Sequence, residues 1–259
     1  MLHKKIILLD TRDAVKLVAD GKISTSHVEF SLSSAQISLK KVRRVGVVGI
    51  EMCNCFYNIT ERNNTMNFIE YSDQYITPVS TFGLVISPGH YSATDLIAVL
   101  NTDLAGIMTV ILNSVTRKME FTKVTPTTYY EFDYNNSTGF NLIGLNANLT
   151  SLDTTIIPPN LPDLRGVTTV LFKFDKFFDN NISTTSKANA EEFYHTLFLS
   201  SSFMNTTHWE APTSSEIWEY RTPTNLDGSF IVKVQNRNRE FLDNNGFDWR
   251  MKLFIEYER

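Results

Sequence analysis

Apolar and polar residues alternate with a period of two along much of the chain, which is typical of β-strands with one buried face. Residues 250–258, the last segment, show this most clearly, since apolar and charged side chains alternate there. Residues 28–32, 170–174 and 230–235 alternate in the same way, and turns rich in Gly, Pro and Asn separate such segments. The pattern predicts about nine to twelve strands in an antiparallel sandwich or barrel.

One stretch departs from the two-residue period. Residues 92–104 repeat apolar side chains every three or four positions, which predicts a helix with one buried face. Ser92 is a good N-cap, and Asp95 three residues later can complete a capping box. Residues 107–112 and 118–122 then predict a hairpin.

Two further local patterns predict a second helix and a tight turn. Thr11 can cap a short helix over residues 12–19, which Gly21 would end. Pro88-Gly89 predicts a type II turn, because proline fixes φ and glycine accepts the positive φ of that turn.

The chain of 259 residues is predicted to form one domain, since all-β domains of this size are common. We assign residues 1–25 to an N-terminal arm. Residues 140–165 contain Pro158-Pro159-Asn160-Leu161-Pro162, which disfavours regular structure. We interpret residues 140–165 as a long connection inside the single domain.

The composition is that of a globular protein, with 42% hydrophobic and 20% charged residues. No apolar run approaches the 18 or more residues of a membrane-spanning helix. The two cysteines, Cys53 and Cys55, are too close in sequence for an unstrained bridge, so we expect reduced, buried thiols. The chain is therefore expected in the cytosol of a host cell.

The net charge of −4 is unevenly distributed, because residues 1–50 carry nine Lys or Arg against four Asp or Glu. The densest basic cluster consists of Lys40, Lys41, Arg43 and Arg44. It predicts either a surface for nucleic acid or another acidic partner, or an ordinary solvated loop.

No motif for catalysis or metal binding is present in the sequence. The five histidines are spaced too widely for an HxH or HExxH motif, and GxSxG, CxxC and a glycine-rich phosphate loop are absent. We therefore predict no cofactor, no metal site and no enzymatic activity. The aromatic residues, 12% of the chain, suit a sandwich core or an oligomer interface. Trp209, Trp218 and Trp249 leave open a sugar-stacking surface.

Five local patterns, taken in order, point to a family. They are Asp10-Thr11-Arg12-Asp13; Phe56-Tyr57-Asn58-Ile59 with Asn63-Asn64; Pro88-Gly89-His90-Tyr91-Ser92 with Leu100-Asn101; Gly139-Phe140; and Pro162-Asp163-Leu164-Arg165-Gly166-Val167. In this order and spacing they resemble the penton (vertex) capsid proteins of virophages and polinton-like viruses.

The resemblance implies a single jelly roll, with eight strands in two four-stranded antiparallel sheets, one or two short helices and long loops. It also implies a structural virion protein without catalytic residues. Five copies would surround each icosahedral vertex and contact major capsid protein trimers. A minor capsid protein and genomic DNA on the inner face are further candidate partners, and the basic cluster would then face the DNA.

The family patterns look structural. Pro88, Gly89, Tyr91 and Ser92 would start a helix that carries Asn101, and Asn63-Asn64 would form a left-handed turn. Pro162, Asp163 and Gly166 would lead into a strand. The chain length is expected to leave room for extended loops, such as residues 175–190 and 201–215, but not for a separate inserted attachment domain.

Two alternatives stay open from the sequence. One is another viral jelly-roll protein, such as a minor capsid protein. The other is a carbohydrate-binding β-sandwich module that uses its tryptophans and long loops.

Overall fold

The computed structural model describes residues 1–32, 39–73, 77–175, 182–183, 193–211, 217–226 and 228–258. Antiparallel strands dominate these residues, and the predicted all-β class is confirmed.

The strands are β1 (Leu2–Asp10), β2 (Val15–Ala19), β3 (Lys22–Ser31), β4 (Leu39–Cys53), β5 (Thr65–Tyr71), β6 (Pro78–Val85), β7 (Met108–Leu112), β8 (Met119–Lys123), β9 (Tyr129–Phe132), β10 (Leu149–Thr150), β11 (Thr155–Ile156), β12 (Thr169–Asp175), β13 (Ile182–Ser183), β14 (Phe193–Phe198), β15 (Thr206–Glu210), β16 (Ile217–Leu226), β17 (Ser229–Gln235) and β18 (Trp249–Glu258). The helix α1 spans Ala93–Asp103, and short 3-10 helices span Thr11–Asp13, Tyr134–Asn136 and Phe140–Ile143.

The chain divides into two compact units. Unit 1 contains Met1–Phe56 and Val167–Arg259, and unit 2 contains Tyr57–Gly166. This corrects the expectation that only extended loops would be added to the jelly roll. No charge run or low-complexity linker marks the two crossing points, so the sequence pattern gave no sign of them. That residues 1–259 act as one domain stays a prediction.

Unit 1 is a sandwich with jelly-roll topology. One sheet has the order β1-β18-β4-β16-β13, with β15 also paired to β4, and the other has the order β14-β12-β17-β3-β2. The predicted pair of four-stranded sheets corresponds to β1-β18-β4-β16 and β14-β12-β17-β3. Strands β13 and β15 extend the first sheet to six strands, and β2 extends the second sheet to five strands.

The core of unit 1 lies between its two sheets. Trp249 of β18, 1% exposed, contacts Phe30 of β3 and Phe172 of β12, with ring centroids 5.9 and 5.2 Å apart. Its indole nitrogen donates a hydrogen bond of 2.8 Å to the carbonyl of Thr25. The large apolar ring is thus buried while its one polar group is satisfied.

The predicted helix over residues 12–19 is wrong. Thr11–Asp13 form one 3-10 turn, and Val15–Ala19 form β2, which pairs with β3. Asp20 and Gly21 have φ of 48° and 80°, which is the two-residue hairpin turn that Asp-Gly favours. That turn and the β-branched valines override the helical spacing. The predicted arm, residues 1–25, therefore supplies β1, β2 and the start of β3.

Unit 2 packs a four-stranded sheet, β10-β9-β5-β6, and a three-stranded sheet, β11-β8-β7, around an aromatic core. Phe132 contacts Phe68 and Phe121 at centroid distances of 5.0 and 5.1 Å. Phe140, from the segment predicted as a long connection, is fully buried against Phe68 at 5.3 Å. Residues 140–165 thus contribute core side chains as well as β10 and β11.

The helix and hairpin predicted from the sequence are confirmed in unit 2. The Ser92 hydroxyl accepts from the backbone N–H of Asp95 at 3.2 Å, and the Asp95 carboxylate accepts from the Ser92 N–H at 3.1 Å. These two bonds form the capping box at the start of α1. Strands β7 and β8 pair as the hairpin that follows. The predicted loop over residues 175–190 lies mostly outside the described residues, and that over 201–215 contains β15.

Candidate functional site

Asn58 connects three of the family patterns inside unit 2. Its side-chain nitrogen donates to the carbonyls of Tyr91 at 2.8 Å and Leu164 at 2.9 Å. Its side-chain oxygen accepts from the Tyr91 N–H at 2.9 Å. Asn58 is only 4% exposed, so these bonds satisfy a buried amide that would otherwise cost free energy.

The predicted left-handed turn at Asn63-Asn64 is wrong, since neither residue has a positive φ. Asn63 instead bonds through its side chain, accepting from the Thr60 N–H at 2.7 Å and donating to the carbonyl of Asn58 at 2.9 Å. Asn64 donates to the carbonyl of Ile86 at 2.9 Å. The side chains of these asparagines therefore bond backbone groups that have no backbone partner in this tight connection. Such side-chain bonding is a second common reason for asparagine in turns, besides its tolerance of a positive φ.

The predicted type II turn at Pro88-Gly89 is also wrong, because Gly89 has no positive φ. Gly89 forms an antiparallel bridge with Ile59, with N–H to carbonyl distances of 2.9 and 3.1 Å. A Cβ at Gly89 would lie 2.9 Å from the ring of Tyr91. The glycine is thus needed for close approach of that ring, and tertiary pairing rather than turn type sets its conformation.

The last family pattern ends unit 2 beside Asn58. Gly166 has a φ of +65°, and a Cβ there would lie 3.0 Å from the Asn58 Cβ. Arg165 donates to Asp163 at 2.9 and 2.8 Å, and this hydrogen bond lowers the pKa of the Asp163 carboxyl. Pro162 precedes this pair and is half-buried. The strand predicted to follow is β12.

Asn101 of α1 binds the outer backbone edge of β7. Its side chain donates to the carbonyl of Val110 at 2.9 Å and accepts from the Val110 N–H at 2.7 Å. One amide thereby occupies both backbone groups at the middle of an edge strand, which blocks pairing with another chain there.

Asp10 is the centre of a charged cluster in unit 1. Its carboxylate accepts from Arg12 Nε at 2.9 Å and from Arg250 Nε at 2.8 Å. The hydrogen bond from Arg12, assisted by that from Arg250, holds the pKa of Asp10 well below its usual range. Thr11 donates to Asp248 at 2.9 Å and accepts from the Trp249 N–H at 3.0 Å. The first family pattern therefore joins β1 to the start of β18.

The basic cluster is divided between paired and unpaired side chains. Arg43 donates to Glu258 at 2.6 Å, and Arg44 lies 3.9 Å from Glu256. Lys40 and Lys41 are exposed, and neither forms an ion pair within the described part of the chain. Two glutamates of β18 thus offset half of the predicted positive patch.

The tryptophans do not form a common surface in the described part of the chain. Trp249 is buried, and Trp209 packs on His195 with ring centroids 4.5 Å apart. The side chain of Trp218 lies outside the described residues. His195 is 6% exposed, its Nε2 has no hydrogen-bond partner among the described groups, and burial lowers its pKa to about 4. The sugar-stacking hypothesis therefore loses Trp249.

Cys53 and Cys55 are free thiols, as expected from their spacing, but only Cys55 is buried, and Cys53 is half-buried. The Cys55 thiol donates to the carbonyl of Asn244 at 2.9 Å, and burial raises its pKa to about 12. A thiol in this state is a weak nucleophile.

Among the described residues, His, Cys, Asp and Glu form no group of three that could hold a metal ion. Over the same residues, no helix combines the length and apolar character needed to cross a membrane. The networks around Asn58 and Asp10 contain bonded amides and ion pairs, so they can hold chain segments together.

The structure is similar to the crystal structure of the mavirus penton protein, with a TM-score of 0.52 and 12% sequence identity. The match covers 98% of this chain and 100% of that chain. No family model matches the chain, and no curated protein matches it in sequence. The likeness expected from the sequence patterns is thus confirmed for the fold.

Proposed function

We propose that this chain is a structural capsid protein of a virion, a penton that forms homopentamers at icosahedral vertices. The observation that carries the proposal is the full-length likeness to a penton protein, which covers both the jelly roll and unit 2. The networks around Asn58 and Asp10 are compatible with a structural role, because each holds distant segments of its unit together.

The jelly roll suits this role physically. Its two packed sheets give a rigid block, and head-to-tail contacts between identical blocks can close into a ring. In this proposal the partners are further copies of the chain and trimers of a major capsid protein. Contact of Lys40 and Lys41 with genomic DNA, and contact with a minor capsid protein, are finer parts of the proposal.

The test is co-expression of the chain with a jelly-roll major capsid protein of the same virus. The expected result is rings of five in negative-stain images of the purified chain, or occupation of the vertices in assembled shells. Shells that form with this chain at positions other than the vertices would favour a minor capsid protein. Complete exclusion from shells, with only monomers in solution, would contradict a capsid role.

A further inference from the structure

His195 and Trp209 close one edge of the sandwich in unit 1. Within the described residues, β14 is the outermost strand of the five-stranded sheet and pairs with β12, and β15 pairs with β4 alone. His195 of β14 and Trp209 of β15 meet across the gap between the two sheets, with ring centroids 4.5 Å apart. This ring contact joins two strands that are each held in a sheet from one side.

The imidazole of His195 is buried without a full set of hydrogen bonds. His195 is 6% exposed, and its Nε2 has no partner among the described groups. Thr169 of β12, which lies opposite Phe198 of β14, also has a buried hydroxyl oxygen without a partner there. Two of the three such atoms in the described part of the chain therefore lie on the β12–β14 pair, and keeping water away from them costs free energy.

No charged side chain of the described residues faces His195 from the strands around it. Phe172 lies opposite it on β12, β15 turns Thr207 and Trp209 inwards, and β4 turns Ile50 and Met52 inwards behind them. Burial alone lowers the pKa of His195, in agreement with this uncharged environment. The ionisable side chains of β12, β15 and the adjoining half of β4 lie on the outer faces of the sheets: Lys173, Asp175, His208, Glu210, Glu51 and Cys53.

We propose that uptake of a proton by His195 separates β14 from β15 and opens this edge of the sandwich, while the rest of unit 1 stays folded. An imidazolium buried here has neither a carboxylate beside it nor water around it, so its charge is poorly solvated. Contact with the indole ring offsets only part of this loss, because a cation–π interaction is weaker than the hydration of a charge. Water reaches Nε2 once the two outermost strands move apart, and this movement breaks fewer contacts than unfolding of the whole unit.

Opening of this edge changes the surface of the chain. Leu197 of β14 and Phe172 of β12 are fully buried in the closed form, and Trp209 is half-buried. Separation of β14 from β15 exposes these apolar side chains at one edge of the sandwich. The chain thus presents in acid an apolar surface that the closed form hides, and this property goes beyond the proposed structural role and does not depend on it.

Hydrogen exchange of the unmodified chain between pH 7.5 and 5 tests the inference, with each rate divided by that of an unstructured peptide at the same pH. A pKa of 6.5 in the open form and about 4 in the closed form makes opening about 30-fold more frequent at pH 5 than at pH 7.5. Amides of β14 and β15 should show this increase, and at each pH they should exchange faster than amides of β3 and β17. Their rates should also respond weakly to dilute denaturant, because local opening exposes little surface.

Three substitutions identify the group that takes up the proton. His195→Gln and His195→Phe remove the titrating imidazole, and both should lose the increase between pH 7.5 and 5. His208→Gln is the matched control and should keep the increase, since His208 is exposed on the same strand as Trp209. The inference is overturned if amides of β14 and β15 exchange no faster than those of β17 and respond equally to denaturant, because acid then acts only through global unfolding. An increase that persists in both His195 variants would overturn it as well.

Discussion

The two units hold distant segments of their own chain together with different chemistry. In unit 2, the neutral amide of Asn58 joins the first residues of the unit to Tyr91 and to Leu164 near its end. In unit 1, the carboxylate of Asp10 joins the end of β1 to Arg12 and to Arg250 of β18. Both networks are nearly buried, at 4% and 7% exposure of the central residue.

The difference predicts different responses to pH. An amide does not titrate, so the Asn58 network keeps its bonds in acid. The Asp10 network depends on an ionised carboxylate, and unit 1 also buries the neutral imidazole of His195. We therefore expect acid to weaken unit 1 before it weakens unit 2.

Asn58→Ala is expected to cause the largest loss of unfolding free energy, about 4 kcal/mol, because it leaves two partly buried carbonyls and one N–H without partners. The loss should be equal at pH 7 and pH 4.5. Hydrogen exchange of amides in α1 and β9 measures the stability of unit 2 directly.

Asn148→Ala is the matched control, since the Asn148 side chain donates to Glu131 at 2.7 Å on the surface. It should cost well under 1 kcal/mol. A loss for Asn58→Ala no larger than that of the control would contradict the structural role of the amide.

His195 is expected to make unit 1 sensitive to mild acid. Its pKa is about 4 in the folded chain against 6.5 in the unfolded chain, so the unfolded state binds the proton more readily. Stability is therefore full above pH 6.5 and falls by about 3 kcal/mol as the pH drops towards 4. Denaturant unfolding of unit 1 at several pH values, followed by the fluorescence of Trp249 and Trp209, measures this slope.

His195→Gln replaces the titrating imidazole by a neutral side chain of similar size. The variant should therefore show a flatter dependence of the unfolding free energy of unit 1 on pH between pH 6.5 and 4. An unchanged slope in that variant would assign the acid sensitivity to other groups. The amide-based unit 2 should show no comparable slope in either protein.

Asp10→Asn tests the charged network and is expected to cost about 2 kcal/mol at pH 7, since hydrogen bonds to a charged group are lost. The pKa of Asp10 is lowered by folding, so its contribution is present above pH 3.8 and disappears as the pH falls further. The difference between variant and unmodified chain should therefore shrink below pH 3.8. A constant difference down to pH 2 would show that packing, and not charge, stabilises this position.

The sequence predicted those elements that are determined by residues close together in the chain. Ser92 and Asp95 specify the start of α1 within four residues, and the alternation at residues 250–258 specifies β18. The helix predicted over residues 12–19 is wrong, because the Asp20-Gly21 hairpin turn and the pairing of β2 with β3 override the helical spacing of Val15 and Val18. Unit 2 was not foreseen, because its boundaries depend on contacts between residues far apart in sequence.

The sequence identified residues of the two networks but not the contacts between them. Asn58 lies in one of the family patterns, yet its partners are 33 and 106 residues away, so no spacing rule connects them. Gly89 shows the same limit, since Pro-Gly predicts a turn while pairing with Ile59 decides the conformation. The sequence also did not predict that Arg43 and Arg44 of the basic cluster lie beside glutamates of β18, which the structure shows.

Asn101→Ala should cost about 1 to 2 kcal/mol, less than Asn58→Ala, because the edge of β7 is more accessible to water. The backbone of Val110 would lose both of its side-chain partners. Faster hydrogen exchange at Val110 and a greater tendency to aggregate would follow, since an uncharged edge strand becomes available for pairing. Unchanged exchange at Val110 would contradict the proposed protection.

The smallest effect is expected in the basic cluster, where DNA contact stays a prediction. If Lys40 and Lys41 contact phosphates, changing both to Gln should lower the slope of log affinity against log salt by about 2. Changing Arg43 and Arg44 to Gln should lower it less, because Glu258 and Glu256 already offset these charges. DNA binding by the purified chain at several salt concentrations, with packaging in assembled particles as the second readout, compares the two pairs. Equal effects of the two pairs would show that the glutamates do not screen the arginines, and no effect of either pair would contradict an inward-facing basic patch.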